Sequence, residues 1–202
     1  GNYFDTYFNY NLDYDLRNNK FRADEGYRNT FYQELPLVSD NYEIIKSFES
    51  TRYQKILDTV TKVSFYGKAV NTLNNEDVRI SKRLYMPSSK LRGFESGKIG
   101  PVENNDYIGG NYISALNFSA TLPQLLPSFQ NLDFSLFLDA GNVWGVDYNS
   151  SIDDNNKIRS SAGMAMDLLT PIGPLNFSLS QPITKSSTDK TESFRFNLGT
   201  TF

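Results

Sequence analysis

The sequence predicts an all-β protein: an antiparallel up-and-down β-barrel that crosses a membrane with strands. Three observations predict it. Segments of about ten residues alternate apolar with polar side chains, the period of a strand with two different faces. The links between them take turns in length, short then long. The chain is also rich in aromatics yet hydrophilic on average, with 15 Phe, 13 Tyr and one Trp in 202 residues and a mean hydropathy of -0.48. One apolar and one wet face on every strand give both properties at once.

Along the chain, residues 2–16 put Phe4, Phe8, Tyr10, Leu12 and Tyr14 on one face. Similar alternation runs through 20–35, 42–55 and 57–72, and is poorest in 42–55, where Lys46 and Arg52 share a face with Phe48. After a fifth segment at 111–122, residues 132–140 set Leu132, Phe134, Leu136, Leu138 and Ala140 against Asp133, Ser135 and Asp139, with Phe137 the one apolar exception. Segment 158–169 follows. Residues 174–183 oppose Leu175, Phe177 and Leu179 to Asn176, Ser178 and Ser180, and 193–202 oppose Phe194, Phe196, Leu198 and Phe202 to Arg195, Asn197 and Gly199. That makes about nine strands, several as long as the 9–11 residues a tilted membrane strand needs.

Short links are expected at Arg17-Asn18-Asn19, around Lys55 to Asp58, at 123–129 and at Thr170 to Pro174; longer ones at 36–41, 73–110, 145–157 and 184–192. A soluble β-sandwich or lipocalin-like barrel also alternates and remains an alternative. Its hidden apolar face tolerates fewer tyrosines, and its loops need not alternate in length.

Composition removes several functions. A net charge of -3 with scattered Lys and Arg offers no surface for nucleic acid. Without cysteine there is no disulfide or thiolate metal site. Without histidine the commonest general base and metal ligand are gone. The nearest carboxylate pairs, Asp133/Asp139 and Asp153/Asp154, lack catalytic partners, and 147–157 lacks the spaced ligands of a calcium loop. No enzyme activity, cofactor or metal is expected. No apolar run approaches a membrane helix, and residues 1–20 show no signal peptide.

The longest link carries Leu91-Arg92-Gly93-Phe94, followed by IGP, IGGN, FLDAGNVW, SAGMAMDLLTPIGPLNFSLSQPI and a final FRFNLGTTF. In this order, over about residues 84–202, these resemble the C-terminal half of the barrel in the BamA family of outer-membrane protein assembly factors; residues 1–83 agree in strand pattern only. The resemblance implies the C-terminal roughly nine strands of a sixteen-stranded barrel in the bacterial outer membrane. It further implies that 73–110 is an extracellular loop folding into the lumen, and that POTRA domains and the first strands lie outside this chain. The implied function is assembly and insertion of barrel proteins through a lateral seam at the last strand. Implied partners are outer-membrane lipid, unfolded β-barrel clients and accessory lipoproteins. Two-partner secretion transporters and TamA share the Arg-Gly-aromatic loop, so a polypeptide-secreting transporter stays open; a passive porin needs no such loop.

From spacing alone, Arg92 reads as a solvated loop charge. The resemblance implies instead that it pairs in the lumen with Asp139, the acid of the DAG strand, while the family's second acid falls at Asn117, turning one ion pair into a neutral hydrogen bond. Gly93 and Gly97 would allow the tight backbone that packs Phe94 inside. Phe194, Phe196, Leu198, Gly199 and Phe202 would form the seam, Gly199 matching the place where the family's last strand kinks.

Overall fold

The computed structural model describes residues 4–122, 131–154, 157–170 and 173–198. Four strands run up and down first: β1 (Thr6–Asp15), β2 (Gly26–Val38), β3 (Glu43–Ile56) and β4 (Thr59–Thr72). The link 73–110 holds a 3-10 turn (Ile80–Lys82) and a small hairpin of β5 (Val102–Glu103) with β6 (Asp106–Tyr107). Then come β7 (Tyr112–Thr121), β8 (Leu132–Trp144), β9 (Arg159–Thr170), β10 (Gly173–Thr184) and β11 (Phe194–Leu198).

One nine-stranded sheet has the order β1-β2-β3-β4-β7-β8-β9-β10-β11, and every pairing is antiparallel. It is an up-and-down wall that remains open, with β1 and β11 at its edges. The pairing register carries one face from strand to strand: Val63 lies opposite Phe118, Phe118 opposite Leu138 and Leu138 opposite Ala162. That face is exposed, with Phe118 at 43% and Leu138 at 48%, whereas Asp139 on the other face is at 0%. An exposed apolar face and a buried polar one invert the soluble pattern, which is the arrangement of a wall with lipid outside.

The core sits on the inner face. Val78, Leu84, Met86, Leu91, Phe94 and Ile99 of the long loop pack against Ile45, Val70, Ile113, Ala115 and Val143 of the wall. The loop therefore completes an apolar layer that these wall residues begin at its end of the inner face.

Two expected boundaries differ. The strand expected at 20–35 begins at Gly26, because residues 16–25 form a longer turn than Arg17-Asn18-Asn19 suggested. Asn19 Oδ1 accepts the amides of Phe21 and Arg22, and Asn18 Oδ1 accepts those of Asp24 and Glu25; side chains that bond nearby amides draw the backbone out of the ladder. Gly26 closes the turn at φ +96°, where an added Cβ would lie 2.1 Å from the Leu16 carbonyl oxygen. At its other end β2 runs through Pro36 to Val38, so the expected long link at 36–41 is short. Pro36 is tolerated because the register shifts beside its partner Tyr7, where one missing donor breaks no regular ladder. Arg22 in that first turn reaches Asp133 on β8 with two hydrogen bonds, so the sheet curls far enough to bring β8 under the β1–β2 turn.

Candidate functional site

The loop motif is built into the wall at three points. Leu91 and Phe94 are 1% and 2% exposed and anchor its apolar side. Gly93 has φ +88°, and a Cβ there would lie 3.0 Å from Cβ of Ser161 and 3.3 Å from that of Ser180. Only glycine suits both the left-handed backbone and the close approach to β9 and β10. Gly97, at φ +67°, makes the second reversal.

Between these residues Arg92 faces β8. Its main-chain N–H and Nε donate to Asp139 Oδ2 at 3.1 and 2.7 Å, and Nη2 donates to Oδ1 at 2.8 Å. The guanidinium lies 3.5 Å from the centre of the Phe137 ring, which explains the apolar exception in the polar row of β8: it is the surface on which the arginine stacks. Ser161 Oγ donates to the Arg92 carbonyl. Asn117, opposite Asp139 in the ladder, donates to Asp139 Oδ1 and to the Lys90 carbonyl, each at 2.9 Å. It is thus a partner of the carboxylate and not of Arg92, a correction to the expected pair. Its amide can donate where a second carboxylate could only repel.

A second clamp of the same pattern went unseen in the sequence. Arg79 donates from its main-chain N–H, Nε and Nη2 to Glu43 at 2.8, 3.1 and 2.8 Å, and the Glu43 side chain is 0% exposed. Asp5 adds an ion pair to Nη1 at 3.0 Å. The Glu43 bond holds the Arg79 guanidinium more firmly protonated than usual. Further loop cations pair with the wall or its loops: Lys82 with Glu34, Arg83 with Asp147, and Lys90 with Glu49. Burial pushes the Asp147 carboxyl up, but bonds from the Val78 amide, Asn111 and Arg83 outweigh it and leave it below its ordinary value. A signal did exist: the loop is dense in cations, and the alternation in β3 puts Glu43 and Glu49 opposite Phe48.

The loop also reaches the last strand. Arg195 donates to the carbonyls of Ser88 and Phe94, both at 2.8 Å, and Glu95, Lys98 and Gly93 share main-chain hydrogen bonds with Lys190 and Glu192. Phe194, Phe196 and Leu198 point outward and are 54%, 49% and 61% exposed, with the Phe196 ring 4.9 Å from that of Phe177. The expectations for Gly199 and Phe202 lie outside the described residues. Below the loop a cavity of about 660 Å³ is lined by Arg92, Asn117, Lys62, Asp133 and Asp167, with Arg22 closing one side.

Long antiparallel strands, apolar outside and holding a charged loop inside, define an outer-membrane β-barrel wall. The chain belongs to the Omp85 superfamily, whose domain matches residues 1–202. It is 34% identical over 144 residues to the outer membrane protein assembly factor BamA of Neisseria meningitidis serogroup B, covering 55% of this chain and 17% of that protein. The BamA of Neorickettsia risticii is 24% identical over 199 residues, covering 96% of this chain and 27% of that protein. Among solved structures, BamA of Haemophilus ducreyi lacking POTRA domains 1–3 superposes with a TM-score of 0.86 at 24% identity, over 94% of this chain and 41% of that one. The chain therefore spans less than a third of the curated relatives it matches.

Proposed function

We propose that this chain forms the C-terminal wall of a barrel that folds and inserts other β-barrel proteins into the outer membrane. The observation that carries the reading is the loop in the lumen, fastened to β8 through Arg92 and Asp139 and touching β11 through Arg195. The two curated relatives bear the name of assembly factors, and the reading extends that role to this protein.

The mechanism is non-covalent. The last strand would pair only weakly with the barrel's first strand, which lies outside this chain, and when that seam opens sideways the main-chain N–H and C=O groups of β11 offer a template on which an incoming strand can add by β-augmentation. The loop braces the middle of the wall while that edge opens towards lipid. Unfolded barrel proteins are the clients, accessory lipoproteins assist, and POTRA domains with the first strands complete the protein outside this chain.

The test is charge exchange in the full-length protein. Arg92→Glu should lower the amount of folded barrel proteins in the outer membrane, and adding Asp139→Arg should restore part of it. No rescue sinks the pair as the working anchor. Normal barrel assembly with a polypeptide stranded in the periplasm would replace insertion with secretion.

A further inference from the structure

The outward face is not uniform. Across β8 to β11 it is apolar, with Leu136, Leu138, Leu179 and Phe196 all well exposed. On β3 the same face carries Lys46 and Arg52, both exposed. The register confirms the side: Arg52 lies between Tyr27 and Val63 in the row that continues to Phe118 and Leu138, and Lys46 lies between Gln33 and Ala69. Among the described residues neither cation has a hydrogen bond, ion pair or ring contact. Along β1 to β4, all the carboxylates within the strands fall on the inner face, Asp13, Asp15, Glu34, Glu43 and Glu49 among them. Two cations thus stand on an outward strand face that carries no carboxylate between the ends of β1 to β4 among the described residues; Glu25, in the turn before β2, lines the same surface hollow as Arg52 but makes no ion pair with it.

A cation at mid-bilayer costs about 2–4 kcal/mol, falling to about 0–1 near the interfaces. Six residues of strand span roughly 20 Å, or about 15 Å along the membrane normal at a tilt near 40°. Centred in an apolar band about 25 Å tall, each cation sits some 5 Å inside one interface, within reach of a stretched stem. Lys46 lies towards the end of the wall that bears the long loop, and Arg52 towards the Leu57-Asp58 turn. Phe48, 42% exposed, lies between them. Cation, aromatic, cation at this spacing matches headgroup, acyl chain, headgroup, and it does not match a compact acidic patch on a protein.

We propose that the outward face of β3 holds lipid: Lys46 takes the headgroup phosphate of one leaflet and Arg52 that of the other, with Phe48 against the acyl chains. Ala69 beside Lys46 and Gly67 beside Phe48 leave that side of the site uncovered.

The experiment replaces Phe48 by the photo-crosslinker benzoylphenylalanine in the full-length protein. The protein is placed in nanodiscs of equal parts phosphatidylglycerol and a phosphate-free glycolipid, with folding checked by heat-dependent gel mobility. Crosslinks should favour phosphatidylglycerol, and Lys46→Gln or Arg52→Gln should each lower that preference about fivefold, the worth of one cation at a charged surface. Lys46→Arg should keep it, and excess inorganic phosphate should not compete. A preference unmoved by either substitution overturns the proposal, as does competition by inorganic phosphate or a crosslink in native outer membrane to a protein instead of lipid. Both substitutions remove charge from the lipid face, where neutral side chains are tolerated, and either single variant decides the question alone.

Discussion

The loop has two clamps built to one plan. At Asp139 and at Glu43, a fully buried carboxylate takes the main-chain N–H, Nε and Nη2 of a loop arginine. They differ in their surroundings. Asp139 also holds Asn117, and among the described residues Arg92 has an aromatic ring but no second acid paired with it. Arg79 has Asp5 and the Tyr7 hydroxyl besides Glu43. One clamp grips β8 and the other grips β3, so the loop ties together two distant parts of a curled sheet. The familiar motif is half of the anchor.

That comparison can be broken by substitution. Asp139→Ala should be the most damaging change, since it strands a largely buried arginine and costs about 3–5 kcal/mol. Denaturant unfolding of the full-length protein in detergent measures it. Glu43→Ala should cost less, about 3 kcal/mol at the lower end of that range, because Asp5 still offers Arg79 a carboxylate. Equal losses would mean that Asp5 contributes nothing. Gly93→Ala comes next, at about 1–3 kcal/mol for a side chain held in left-handed backbone. The residue after Arg79 is Ile80, which opens a 3-10 turn at ordinary dihedrals and is 62% exposed, so Ile80→Ala should leave stability unchanged. Only the β8 clamp demands glycine.

The strands were legible because lipid on one side and a wet lumen on the other write a period of two directly into the sequence. The residues that broke the period were informative in a way the sequence could not explain. Phe137 interrupts a polar row because Arg92 stacks on it, a contact between residues far apart in the chain. Lys46 and Arg52 made β3 the poorest strand by pattern, and the register shows that they do face outward. The Arg79 clamp left only a diffuse trace, a loop dense in cations and an inward Glu43, and could not be placed for a different reason. Charges in a loop are ordinarily solvated, and nothing local distinguishes one that a buried Glu43 will meet. The turn at 16–25 was missed because the bonds of Asn18 and Asn19 to nearby amides compete with the strand only once Gly26 has reversed the chain.

A third tie sharpens the contrast between the clamps. Asp147 accepts from the Val78 amide at 2.9 Å and pairs with Arg83, next to the Arg79 end of the loop. Its carboxyl lies below its ordinary value because those bonds and Asn111 outweigh burial. A depressed carboxylate stabilises the fold above the ordinary value near about 4, and the stabilisation is lost as pH falls through the depressed one. Arg83 makes the loss asymmetric: it is 4% exposed, its guanidinium lies over the Tyr148 ring, and its Nε and Nη1 have no hydrogen-bond partner among the described residues, so protonating Asp147 removes the counter-charge of an already under-bonded guanidinium. Hydrogen exchange should therefore show the Val78 amide well protected at neutral pH and losing that protection as pH falls through the depressed value of Asp147. In Asp147→Asn the Val78 amide should lose that pH dependence. If Asp147→Asn also lowers protection of the Arg92 amide at neutral pH, the loop releases as one unit, and the two clamps are a single cooperative anchor.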